Sequence, residues 1–208
     1  MEIAIASFTV AFSGAAAPGP LLLTVMRESA GQDLRVGGWL SAGHALIELP
    51  VVLLLGVGLL RIDTNLIMPW LEMLGGTALI AFGLLTLRAS AAVDASAFAG
   101  TRGGKLTPLR LVLLGGITSA SNPYWTLWWL TVGVAYIVQA LILGPLGLLV
   151  FYISHIAGDA VVFMSVSALT SKGGRALGSR GYRALLVVTG LALILIGASY
   201  AASALRVV

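Results

Sequence analysis

The chain contains no cysteine, and only 10% of its residues are charged. The first absence excludes a disulfide framework, a thiolate metal site and thiol relay chemistry across a membrane. The second excludes an ordinary soluble globular domain, whose charged fraction is nearer 25%. Also missing are a His-Glu-x-x-His pair, a recognisable nucleophile constellation and a phosphate-cradling loop, since Gly103-Gly104 and Gly173-Gly174 lack the surrounding spacing. Intramembrane peptidase chemistry and an ATPase domain are therefore not expected. The chain reads as a non-enzyme without a cofactor, driven by an ion gradient or by a separate subunit.

What fills the space is apolar. Hydrophobic residues make up 59% of the 208 residues, and the mean hydropathy is +1.02, so lipid is the solvent for most of the chain. Six stretches have the roughly 17–25 residues that a helix needs to cross a hydrocarbon core: Ile3–Met26, Val36–Leu60, Leu66–Leu87, Leu109–Tyr136, Leu141–Leu169 and Tyr182–Leu205. Runs such as Val51-Val52-Leu53-Leu54-Leu55 do not alternate as barrel strands must. The fold class is thus an all-α membrane protein. Nothing basic precedes the first run, which outlasts a signal-peptide core of about 7–15 residues and is expected to stay in the membrane.

Basic residues punctuate the ends of these runs, so the pI of 9.9 points to lipid headgroups rather than nucleic acid. Ten of the twelve Lys and Arg fall between runs one and two (Arg27, Arg35), three and four (Arg88, Arg102, Lys105, Arg110) or five and six (Lys172, Arg175, Arg180, Arg183). Only Arg61 and Arg206 lie on the opposite side. The positive-inside rule then places both termini outside the cytoplasm. Three spans per half give the halves opposite senses, an inverted repeat of 1–88 and 108–208 joined by a flexible cytoplasmic linker, 89–107. Ser171-Lys172-Gly173-Gly174 is a second turn-rich connection.

Each half repeats one signature. Pro18-Gly19-Pro20 interrupts the first run and Asn122-Pro123 the fourth; His44-x-x-x-Glu48 follows in the second and His155-x-x-x-Asp159 in the fifth. Proline removes a backbone donor and clashes with the preceding turn, so both breaks should free polar backbone inside the membrane. Such backbone is tolerated there only when buried in protein or lining a wet cavity. Pro18, Gly19, Pro20, Asn122 and Pro123 are therefore the expected substrate-binding elements. An acid near bilayer centre costs about 2.5–3.5 kcal/mol, which makes Glu48 and Asp159 functional candidates. A histidine four residues before each acid lies on the same helical face. Such a pair can load and release a proton near neutral pH, so His44, Glu48, His155 and Asp159 are the expected proton-coupling residues.

Alternatives attach to several residues. Two histidines and two carboxylates could form a hard or borderline metal site, although no His-rich tract accompanies them, and no metal ligand is assigned. Arg27 and Glu28 read as an interfacial pair rather than a substrate clamp. Tyr124, Trp125, Trp128 and Trp129 are either interfacial belt residues or one wall of the site. Ser13 and Ser121 are read as partners of freed backbone rather than as nucleophiles. Gly37, Gly38, Gly43, Gly75, Gly76 and Gly83 permit close helix packing and would permit a homodimer.

In these features the chain resembles the LysE/RhtB amino-acid exporters. The resemblance rests on Pro18-Gly19-Pro20 in the first span, Gly43-His44 through the central acid Glu48 in the second, Asn122-Pro123 in the fourth and Asp159 in the fifth. It covers the whole chain in order and spacing. Two positions depart from the family's pattern: Glu48 stands where the family usually has Asp, and Tyr124 where many members have a basic residue. His44 is not a general feature. The resemblance implies export of small amino acids or their derivatives across the cytoplasmic membrane in exchange for protons, without naming one amino acid. A divalent-metal exporter on a similar scaffold is the alternative.

Overall fold

A computed structural model describes residues 1–17, 19–30, 32–60, 64–91, 106–171 and 178–207. Among these there is no strand. The helices are α1 (Glu2–Ala15), α2 (Pro20–Ser29), α3 (Arg35–Leu59), α4 (Thr64–Ala91), α5 (Pro108–Ala120), α6 (Pro123–Trp128), a π-helical segment (Trp129–Gly133), α7 (Val134–Leu141), α8 (Gly144–Ser171) and α9 (Gly178–Val207). The stretch expected to be a linker lies outside the described residues, except that Ala89–Ala91 continue α4 and 106–107 lead into α5. Lys172, Gly173 and Gly174 also lie outside them, as does Pro18.

α3, Pro69–Ala91 of α4, and α8 are each long and apolar enough to cross a membrane, and α1 with α2 makes a fourth such span if the bent pair is counted as one. The apolar runs expected as spans one and four are interrupted. α1 and α2 meet at 78°, because Gly19 is extended and Pro20 opens a new helix at the position where its missing N–H is harmless. The fourth run breaks at Asn122, whose side-chain oxygen accepts from Tyr124 N at 3.0 Å, with Pro123 again first in the helix. α7 then runs to Leu141, and the fifth run starts at Gly144 rather than Leu141. A φ of +67° at Gly144 explains the boundary, since L side chains avoid that conformation.

Small residues set how the helices cross. A Cβ at Gly76 would lie 2.7 Å from Gly197 O and one at Gly83 2.6 Å from Gly190 O, so α4 and α9 run antiparallel in close contact. α3 and α8 are antiparallel too: Gly37 abuts Phe163 O, Tyr152 donates its hydroxyl to Ala45 O at 2.9 Å, and Gly56 faces Leu148. By contrast, α1 runs parallel to α8, with Ser7 Oγ donating to Phe151 O at 2.7 Å and Gly158 against Phe8 O. α3 runs parallel to α5, with Leu40 O against Gly115 and, one turn on, His44 against Ser119; Gly43 packs on Val112 O. Gly38 and Gly75 do not share this role, since nothing lies closer than 3.8 Å to a Cβ at either.

Along α3 the buried stripe reads Val36, Leu40, His44, Glu48, Val52, Gly56, one residue per turn. Leu46, Leu53, Leu54 and Val57 on the opposite face are exposed, as a lipid-facing surface requires. Two hydrophobic clusters form, one containing Leu22, Val36, Leu40 and Phe163, the other Val52, Trp129, Ile137 and Phe151. The ionisable turns of α3 and α8 lie between them.

Candidate functional site

The two His/acid pairs meet. His44 Nε2 lies 3.0 Å from Glu48 Oε1 within α3, and His155 Nε2 lies 3.5 Å from Asp159 Oδ2 within α8. Across the helices, His44 Nε2 is 3.7 Å from Asp159 Oδ2 and His155 Nε2 is 3.8 Å from Glu48 Oε2. All four residues are at least nine-tenths buried, Glu48 and Asp159 to 1% exposure. Isolated charges are costly at such depth, and here each carboxylate has a histidine nitrogen within 4 Å.

Glu48 is also held from the fourth apolar run. Trp125 Nε1 and Trp129 Nε1 both donate to Oε1, at 3.0 and 3.1 Å. These indoles are one turn apart, so a single carboxylate oxygen can receive both. Trp129 opens the π-helical segment, a form that in other proteins often marks functional positions. The tryptophans following Asn122-Pro123 thus wall the site. Trp128 packs on the His155 ring with centroids 5.0 Å apart, and Phe151 stacks on its other neighbouring face at 5.7 Å.

The broken helices complete the enclosure. A Cβ at Gly19 would lie 2.9 Å from Asn122 Nδ2, so the two interruptions abut. α6 further satisfies the end of α1: Tyr124 donates its hydroxyl to Ser13 O at 2.8 Å, and Trp128 Nε1 donates to Ser13 Oγ at 3.0 Å. Ser13 Oγ donates to Val10 O, and Ser121 Oγ to Thr118 O, so both serines bond backbone. A cavity of ≈ 30 Å³, enough for a few water molecules, is lined by Gly19, Asn122 and the four ionisable side chains, among others. Among the described residues, no Lys or Arg lines it.

Not every expected residue contributes. Pro20 and Pro123 are exposed and line no part of the cavity; they shape the breaks while Gly19 and Asn122 present them. Arg27 and Glu28 form a 3.7 Å pair with Arg27 69% exposed, and neither lines the cavity. Ser119 was not singled out from the sequence, yet its hydroxyl lies 2.8 Å from His44 Nδ1. Only the register of α5 on α3 reveals it. Because Asn122 caps α6 and packs on Gly19, Asn122→Ala is expected to cost about 0.5–2 kcal/mol, read as a lowered thermal unfolding midpoint in detergent.

Buried ionisable residues gathered among membrane-length helices, where two interrupted helices abut, are the hallmark of a multi-pass membrane transport protein. The family model for the LysE type translocator matches residues 12–203, and the chain belongs to that family. Comparisons with curated proteins and with solved structures give no match.

Proposed function

We propose that this translocator is a secondary exporter of small amino acids or their derivatives, exchanging them for protons across the cytoplasmic membrane. The carrying observation is the convergence of His44, Glu48, His155 and Asp159 beside the abutting breaks at Gly19 and Asn122. Glu48 and Asp159 would take protons or the substrate ammonium group in turn, with the histidines tuning or relaying. The substrate carboxylate would lie at the freed backbone beside Gly19 and Asn122. A lining without Lys or Arg suits a group that arrives as a cation. Loading in this reading follows as the halves rock apart.

The architecture in this reading is six spans in two inverted halves. Antiparallel α3–α8 and α4–α9, with parallel α1–α8 and α3–α5, is the pattern that two oppositely oriented three-span halves produce. The basic ends also cluster: Arg183 Nε, at the start of α9, donates to Ser90 O near the end of α4 at 2.9 Å. That supports one cytoplasmic face, with both termini on the other side.

Proteoliposomes loaded with a labelled panel of small amino acids and given an inward proton gradient should lose at least one label faster than protein-free vesicles. No acceleration for any member, from folded protein, would overturn the proposal.

A further inference from the structure

We propose that His44, Glu48 and Asp159 hold one divalent first-row transition-metal ion of the zinc or cobalt type, with a water molecule as the fourth donor. The exporter reading uses this centre as well, but the metal is inferred from its donor geometry alone. The cross-helix separations are 3.7 and 3.8 Å, and His155 Nε2 to Asp159 Oδ2 is 3.5 Å. Those values are too long for N–H···O bonds. They sit just above the edge of about 3.3–3.4 Å that donors take around an ion at about 2.0–2.1 Å. Ligand atoms of His44, Glu48 and Asp159 all lie within 4.8 Å of one another.

Hydrogen-bond accounting points to a cation at the same place. Glu48 Oε2 and Asp159 Oδ2 are buried with no hydrogen-bond partner, 3.8 and 3.5 Å from His155 Nε2. Glu48 Oε1, by contrast, takes the two indoles and also lies 3.0 Å from His44 Nε2. The Ser119 hydroxyl has one hydrogen, which it donates to Gly115 O at 2.7 Å. Towards His44 Nδ1 it must therefore accept, so Nδ1 carries hydrogen and Nε2 faces the carboxylates. A bare lone pair there would face acceptor oxygens, so Nε2 needs a proton or a metal. The Nδ1–H bond is also the support that orients a metal-binding imidazole.

Two carboxylates and two neutral imidazoles balance one doubly charged ion. The mixed nitrogen and oxygen set suits zinc, cobalt, nickel or manganese better than calcium or magnesium, which prefer oxygen alone. His155 Nδ1 has no partner and His155 stands outside the group of three, so its removal should weaken binding least.

The test titrates tag-free protein in detergent with cobalt chloride. Trp125 and Trp129 donate directly to Glu48, so a bound paramagnetic ion should quench tryptophan fluorescence saturably at one ion per chain. The visible spectrum should be that of tetrahedral cobalt, displaced by zinc. Affinity should fall at least tenfold in Asp159→Asn and His44→Ala, and less in His155→Ala, with folding checked by thermal unfolding. Absence of saturable quenching in folded wild type, or unchanged affinity in Asp159→Asn and His44→Ala, would overturn the site. Amino-acid efflux measured without metal on the same protein separates the two readings. Efflux without cobalt binding sinks the metal site alone, whereas cobalt binding without efflux supports the metal site and sinks the exporter.

Discussion

Glu48→Gln is expected to reduce proton-driven amino-acid efflux to the protein-free background while leaving the thermal unfolding midpoint close to wild type. The substitution is nearly isosteric. Its amide oxygen can occupy the position of Oε1 and keep the donations from Trp125 and Trp129, at 3.0 and 3.1 Å in the wild type. Its amide nitrogen then stands in for Oε2, 3.8 Å from His155 Nε2. Packing survives, and the lost 3.0 Å pairing with His44 Nε2 is offset by the desolvation cost that a neutral amide does not carry. What the variant cannot do is exchange a proton. Efflux at wild-type rate would mean that Glu48 is structural and that coupling lies elsewhere.

Gly43→Ala is the second large effect, and it acts through the fold. A Cβ at Gly43 would run into Val112 O and would stand 2.8 Å from Gly116 N. The obstacle is backbone, so α5 must move away from α3 as a body. Overpacking of this kind costs about 3 kcal/mol. The shift also carries Ser119 away from His44 Nδ1, 2.8 Å distant in the native packing. Loss of folded yield or a markedly lower unfolding midpoint is the expected readout. Gly58→Ala on the same helix is the control, because nothing lies within 4 Å of its Cβ. It should stay within about 1 kcal/mol of wild type.

How far the sequence reaches can be judged from particular residues. The helices were legible because lipid demands long apolar runs, and the breaks because proline cannot donate to a helix. The His/acid pairs were legible because an i, i+4 offset is local geometry. That His44 also approaches Asp159, and His155 Glu48, was not, since this depends on the register of α8 against α3. The same limit hides Ser119 and the joint donation of Trp125 and Trp129 to one oxygen. It also hides the division of the fourth apolar run into α5, α6, a π-helical segment and α7. Pro20 and Pro123 are conspicuous in the sequence and start helices, whereas it is their neighbours Gly19 and Asn122 that line the cavity.

The central claim is that one buried four-residue centre ties amino-acid movement to proton movement. Its most direct test is proton flux, recorded with a pH dye inside proteoliposomes as a panel of amino acids is added outside. The account predicts amino-acid-dependent flux in wild type and none in Glu48→Gln. Folded wild-type protein that moves no protons with any amino acid, or flux that persists in Glu48→Gln, would contradict it.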